Sequence, residues 1–386
     1  MTEKAAAQGS VAYDTVEEFW APDAVDALAE ARRHQDPRGF AEEFCVAFGL
    51  TGSAVPTASA RDALTRYLRA LRLRSPRTEV LLSAFNCAAV ADAVHAAGLR
   101  VRTFDLATTD GSFDPDAIQA AVTDACLALV IPHLFGVPCD LGSLPDRCAQ
   151  LGVALVEDCS QTVGATLGGR PVGSFGDAAV FSFGYDKPLS LGGGGMLLSR
   201  DRAEVAVPEP SEPVADRQLL DALRVFLVRR RALISTAGHA STVAERQRIY
   251  AQSAAAPGPR PIGPLRAALG SWQLGRYPAV VRERDERANA VAAAGLVTWP
   301  VPADAEPAWL KQKVLVAESA DDVAVGLQRH GFRAGPFNWH EPVADDVRRS
   351  VARYTALWSR QGLDVPVHQN MPRAAVSSMI EMIRHG

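Results

Sequence analysis

Between Val153 and Arg200 the chain reads VALVEDCSQTVGATLGGRPVGSFGDAAVFSFGYDKPLSLGGGGMLLSR. Val153-Ala154-Leu155-Val156 is a short unbroken apolar run, the pattern of a strand buried on both faces, and it stops at Glu157-Asp158. In open α/β sheets ligands bind outside the carboxyl ends of the strands, so Asp158 stands where a ligand would be met. A second strand, Ala178 to Phe183, delivers Lys187 just ahead of four consecutive glycines, Gly192 to Gly195. Lysine is scarce: Lys4, Lys187, Lys311 and Lys313 are the only four among 40 basic residues. A chain that takes arginine elsewhere and lysine here favours an amine that can lose its proton and attack a carbonyl. A solvated loop lysine is the alternative that the local pattern leaves open.

Outward from this stretch, strands and helices alternate. Glu79 to Leu82 reads as a strand, Ala88 to Ala97 as a helix, Arg100 to Phe104 as a strand, and Pro115 to Ala125 as a helix. Leu127 to Pro132 is a strand ending in His133, and Leu141 to Leu151 is a helix returning the chain to Val153. The rhythm predicts a mostly parallel sheet covered on both faces. Upstream, Ala24 to Arg33 has helical spacing, and Ser59-Ala60-Arg61-Asp62-Ala63-Leu64 opens another helix. Such an entry offers free N–H groups to a phosphate, or is simply a serine N-cap.

Downstream, Ala206 to Pro213 and Ser253 to Pro264 are proline-rich, flanking an amphipathic helix from Gln218 that ends in Arg229-Arg230-Arg231. The triple arginine reads first as a solvated helix end complementing the dipole, and second as a basic rim for an anionic substrate. A further α/β rhythm follows: strand Gln312 to Ala317, helices Asp321 to His330 and Asp346 to Gln361, strand Leu363 to Val367, helix Arg373 to Ile383. These shifts predict two domains, 1–262, with a divergent 201–262 segment, and 263–386.

A net charge of -4 with both signs mixed argues against nucleic acid or a membrane surface as partner. No apolar run approaches the ~20 residues of a membrane span, and Met1 to Ser10 has no apolar signal core, so a soluble cytoplasmic protein is expected. The six cysteines form no C-x-x-C pair and the eight histidines no ligand spacing, so no metal site is expected.

Glu157-Asp158-Cys159-Ser160-Gln161 with Gly164, then Gly173-Ser174-Phe175-Gly176-Asp177, Phe181-Ser182-Phe183, Lys187 and Gly192 to Gly195 together resemble the signature of the DegT/DnrJ/StrS-type sugar aminotransferases. The likeness covers residues ~40 to ~200 well and ~265 to 386 loosely, the latter through Arg266-Ala267-Ala268-Leu269-Gly270 and Leu363-Asp364-Val365-Pro366-Val367-His368. It implies a fold type I transferase dependent on pyridoxal 5′-phosphate, with a large seven-stranded-type domain, a smaller C-terminal α/β domain and a homodimer.

The likeness also implies roles. Lys187 would hold the cofactor as a Schiff base, and Asp158 would keep the pyridine nitrogen protonated. Gln161 would lie near the phenolic oxygen, and Ser182 with the Ser59-Ala60-Arg61 helix entry would hold the phosphate. Phe85, beside Cys87 at the family's usual aromatic place, is the candidate for stacking on the ring, with core packing as the alternative. His133 reads as a satisfied structural histidine. Trp272 and Tyr277 offer an interface surface or pack within their own domain. The implied reaction moves an amino group from glutamate or glutamine to a keto or aldehyde group of a sugar or cyclitol in a biosynthetic route. Elimination or dehydration on the same cofactor, and a non-catalytic regulator on the same fold, are the alternatives.

Overall fold

Asp36 caps the first described helix by accepting Arg38 N–H at 3.0 Å, and Pro37 follows at a position where a missing N–H costs nothing. The computed structural model describes residues 36–109, 111–184, 187–200, 262–317, 319–332, 334–335 and 353–385. The expected helix at Ala24 to Arg33 and the Gln218 to Arg231 stretch lie outside these residues.

The first elements are α1 (Pro37–Ala47), β1 (Ser53–Thr57), α2 (Ala60–Arg72), β2 (Glu79–Ser83), α3 (Ala88–Ala96) and β3 (Arg100–Phe104). Then come α4 (Pro115–Ala121), β4 (Cys126–Pro132), α5 (Leu144–Leu151), β5 (Ala154–Asp158), the short β6 (Thr166–Leu167) and β7 (Arg170–Pro171), β8 (Ala178–Ser182) and β9 (Gly195–Ser199). Helix α5 starts three residues later than its apolar pattern, because Pro145 fits only a first turn and Gly142 before it is left-handed at φ 45°.

Seven strands form one sheet in the order β1-β9-β8-β5-β4-β2-β3. Strands β2, β3, β4, β5 and β8 run parallel, and β9 alone runs against both of its neighbours. Every residue of β4 is buried, as a central parallel strand requires. One face carries Leu64, Leu68, Val90 and Val94 from α2 and α3, and the other carries Ile118, Leu144 and Cys148 from α4 and α5. The architecture is thus α/β with a mostly parallel seven-stranded sheet, a fold type I arrangement.

Past the undescribed stretch, α6 (Pro264–Ala293) runs 30 residues and leads to β10 (Val297–Thr298), β11 (Ala305–Glu306), β12 (Gln312–Leu315), α7 (Ala320–Arg329), α8 (Arg353–Gln361), β13 (Gly362–Val365) and α9 (Arg373–His385). Strands β10, β12 and β13 make a small antiparallel sheet, while β11 reaches back to pair with β6. Helix α6 packs on α1, where Phe40 fills the space above Gly270 so closely that an added Cβ would stand 2.2 Å from its ring. The C-terminal core takes in Phe85 and Phe135 from the ends of the large sheet, so the two halves share a boundary of packed aromatic rings.

Candidate active site

Asp158 is the last residue of β5 and is 8% exposed at the sheet's carboxyl edge. Its Oδ1 accepts Ser160 N–H at 3.0 Å, and its carbonyl accepts His133 N–H at 3.0 Å from the end of neighbouring β4. The residue before it, Glu157, is fully buried yet fully engaged. Its carboxylate accepts from Gly173 N–H, Phe175 N–H and Gly176 N–H, each at 2.7 Å, and pairs with His133 Nε2 at 3.1 Å. Burial pushes the Glu157 carboxyl up, but the His133 hydrogen bond and the glycine amides outweigh it, so the acid sits below its ordinary value.

His133 Nδ1 accepts Cys139 N–H at 2.9 Å, which puts the ring proton on Nε2, facing Glu157. Both ring nitrogens are used, so His133 is the satisfied structural histidine that its sequence context suggested. The Glu-Asp pair therefore divides its work between neighbours: Glu157 ties the Gly173–Gly176 turn to β5, and Asp158 is left at the edge. Ligand atoms of His133, Glu157 and Cys159 lie within 4.8 Å of one another. The first two are committed to each other and to backbone amides, and burial drives the Cys159 thiol well up, against a thiolate ligand.

Gln161 accepts Phe135 N–H on Oε1 at 2.9 Å, which turns the donor end of its amide the other way. Phe135 is the one non-glycine residue with positive φ (60°) among the described residues, and its carbonyl accepts Leu310 N–H at 2.9 Å. Gly136 beside it admits no side chain, since a Cβ would meet the Ala308 carbonyl oxygen at 2.3 Å.

Strand β8 lies next to β5 in register Asp158↔Val180 and ends at Ser182, whose Oγ accepts Gly184 N–H at 3.4 Å. Lys187 is half-buried, its N–H on the Gly184 carbonyl at 3.0 Å, in the loop joining β8 to β9. The glycine run closes that loop: Gly193 N–H donates to the Phe183 carbonyl at 2.9 Å and Phe183 N–H to the Gly194 carbonyl at 3.1 Å, and Gly192, Gly193 and Gly194 all have positive φ. Gly195 is pressed against the start of α2, where an added Cβ would stand 2.5 Å from Ala60 N. Ser59 caps α2 by accepting Asp62 N–H at 3.1 Å, and Asp62 returns the contact by accepting Ala58 N–H at 3.2 Å. The α2 N-terminus, Ser59, the glycine loop and Ser182 thus converge at one end of the sheet.

Two expected residues are placed otherwise than in a cofactor site. The Phe85 ring is 0% exposed, stacked on Trp299 at 5.5 Å and edge-on to Phe135 at 6.3 Å, so the packing alternative describes it. Cys87 at the usual aromatic place is half-buried and starts α3. The Arg61 guanidinium reaches Asp92 at 3.6 Å with a largely exposed side chain, leaving its backbone N–H as its link to the helix entry. Tyr277 is buried, donating to the Val163 carbonyl at 2.8 Å, whereas Trp272 is half-buried under Arg276. Arg229 to Arg231 lie outside the described residues. Reading the sequence missed β9 and the buried trio of Lys311, Lys313 and Asp364. The rarity of lysine was the signal available for the last.

A family model described as the DegT/DnrJ/EryC1/StrS aminotransferase family matches residues 30–384, and the chain belongs to that family. It is 37% identical over 156 residues to a UDP-N-acetyl-3-dehydro-alpha-D-glucosamine 3-aminotransferase of Acidithiobacillus ferrooxidans, which is 40% of this chain and 42% of that one. It is 30% identical over 195 residues to an L-glutamine:2-deoxy-scyllo-inosose aminotransferase of Micromonospora echinospora, 47% of this chain and 46% of that one. The chain spans less than half the length of these curated relatives. A putative sugar aminotransferase, Spr1654 of Streptococcus pneumoniae, solved in a pyridoxal-phosphate form, superposes with TM-score 0.73 at 15% identity over 97% of this chain and 98% of that one, which shows the shared fold. Among the described residues no helix is long and apolar enough to cross a membrane.

Proposed function

We propose that this chain is a pyridoxal-5′-phosphate-dependent aminotransferase that passes the amino group of glutamine or glutamate to a keto or aldehyde carbon of a sugar, cyclitol or related biosynthetic intermediate. One observation carries the reading: a carboxylate ends β5 and a lysine stands in the loop that follows the adjacent β8, at the edge of the sheet where a serine-capped helix start packs on a glycine. These residues fit the cofactor. The α2 N–H groups and the Ser59 and Ser182 hydroxyls suit a phosphate dianion. Asp158 suits a ring N–H, and the donor end of Gln161 suits a phenolic oxygen.

When bound, the cofactor supplies an electron sink next to the substrate carbon. The residues then divide the remaining work. Asp158, its Oδ1 fixed by Ser160 N–H, would hold a proton at the pyridine nitrogen. Lys187 would hold the cofactor through its side-chain amine and would move a proton between the substrate carbon and cofactor C4′. The lysine, not an arginine, is needed because an amine can be deprotonated and attack a carbonyl, whereas a guanidinium stays charged. Glu157 keeps the Gly173–Gly176 turn against β5, so that Asp158 does not rotate out of line.

Fold type I enzymes of this family share sites across a dimer, and we read this chain as a homodimer in the same way. The half-buried Trp272 on α6 supports that reading, while the internal hydrogen bond of Tyr277 takes that residue out of it. The test is a panel of ketosugars and keto cyclitols offered with L-glutamine or L-glutamate to the cofactor-loaded protein. An amino product formed in step with the donor's keto acid is expected. Release of water or phosphate without amino transfer would move the assignment to elimination.

A further inference from the structure

The loop that carries Lys187 is fastened from outside the large sheet, by helix α6. Ser190, just past the lysine, is 2% exposed, and one side chain takes both of its peptide groups. Gln273 Oε1 accepts Ser190 N–H at 3.1 Å, and Gln273 Nε2 donates to the Ser190 carbonyl at 2.6 Å. Nε2 also reaches the Leu269 carbonyl at 3.3 Å, one turn back on the helix. A carboxamide offers the acceptor and the donor of a peptide group side by side, so Gln273, itself buried, stands in for a strand neighbour at this one residue. About two turns earlier on α6, Arg266 Nη2 donates to the Gly192 carbonyl at 3.3 Å.

Leu189 and Leu191, on either side of Ser190, are fully buried in the core that Ala267 and Leu269 of α6 help to form. The clamp therefore fixes the loop at its middle, while the Gly184 carbonyl fixes its start through Lys187 N–H at 3.0 Å. Between clamp and lysine stand only Leu189 and Pro188, and a proline biases the residue before it toward extended backbone. A shift of Ser190 is thus passed to Lys187 with little slack. Downstream the chain is glycine, which suits many conformations, so stiffness on that side comes from the hydrogen bonds to Phe183 and Arg266.

We propose that Gln273 is a positioning residue for Lys187: by clamping the two Ser190 peptide groups it sets where the lysine amine stands, with Arg266 assisting from the glycine side. The role rests on the function proposed above, since the lysine needs close placement only if its amine meets the cofactor. Without the amide, two buried peptide groups lose their partners and the loop must move to satisfy them. Asp158 and the Ser59 helix start belong to other elements, so retention of the cofactor and placement of the lysine can be read apart.

The test compares wild type, Gln273→Leu and Gln273→Glu as full chains loaded with pyridoxal 5′-phosphate. Total bound cofactor is measured after denaturation, and the share joined to Lys187 by Schiff-base absorbance and by borohydride labelling with peptide mass mapping. Per bound cofactor, Gln273→Leu is expected to label Lys187 about tenfold more slowly, to show free-aldehyde absorbance in place of Schiff-base absorbance, and to lose kcat rather than raise the donor's KM. Gln273→Glu keeps the acceptor for Ser190 N–H and loses the donor, so it is expected to fall between the two, and it decides the matter if the leucine variant does not fold. Wild-type labelling and absorbance per bound cofactor in the variants, even at a lower melting temperature, would show a merely structural contact and overturn the role. Hydrogen exchange of the wild-type chain reads the clamp directly: the amides of 189–193 are expected to exchange as slowly as those of α6, and exchange at the rate of an open loop would overturn it even if neither variant folds. A loaded wild type that takes no label on Lys187 is a failure of the function proposed above, and the exchange result tells it apart from a failure of the clamp.

Discussion

Glu157 and Asp158 are neighbours in sequence with opposite tasks. Glu157 is buried, ionised and held by three backbone amides and His133. Its folded pKa lies below the unfolded one, so it contributes stability at pH above the unfolded value, and that contribution is lost as pH falls through the folded value. Glu157→Gln is accordingly expected to cost about 3 kcal/mol near neutral pH and to flatten the acid limb of the stability–pH curve. Chemical denaturation across a pH series reads both effects; an unchanged acid limb would show that another carboxylate controls it. Asp158→Asn is expected to fold and bind cofactor while losing about 3 kcal/mol of barrier lowering, roughly a hundredfold in rate. Steady-state rates with cofactor occupancy measured alongside check this, and near-normal turnover in the amide variant would assign the ring proton to another group.

At the level of elements, the join between β9 and α2 is where the glycine run acts. Gly195→Ala would drive a methyl into the Ser59–Ala60 peptide, 2.4 Å from the Ser59 carbonyl carbon, so the helix start must shift away from the sheet. Overpacking of this kind costs about 1–3 kcal/mol, and the expected result is faster loss of cofactor on dialysis than from wild type. Equal retention would mean that the helix entry does not hold the phosphate. The same join shows what sequence could and could not convey. Asp158 was legible because an unbroken apolar run ending in acids has few readings other than a core strand meeting an edge. Strand β9 was hidden, since its glycines advertise a turn and its place between β8 and β1 depends on pairing with a strand some 140 residues earlier. Phe85 stayed open between two readings because an aromatic residue past a strand end serves a ligand or a core equally well, and Trp299, which stacks on its ring, comes from the far half of the chain. Lys311 and Lys313 needed the fold, because only the pairing of β12 with β13 brings them to Asp364.

The whole molecule joins a sheet that presents a carboxylate and a lysine to a C-terminal half that packs aromatic rings against the sheet's end. If the sites are shared, the assembly is a homodimer at all working concentrations. Sedimentation across a dilution series is expected to give twice the 41.1 kDa chain mass, and an active, cofactor-loaded monomer would contradict sharing. The claim on which the rest depends is the covalent role of Lys187. Its half-buried loop position means that Lys187→Ala should fold while abolishing turnover. The direct measurement is borohydride reduction of the cofactor-loaded protein followed by mass mapping of its peptides: a pyridoxyl mass fixed on Lys187 in wild type and absent from Lys187→Ala is expected. A label on Lys311 or Lys313, or none in a fully loaded protein, would contradict the account.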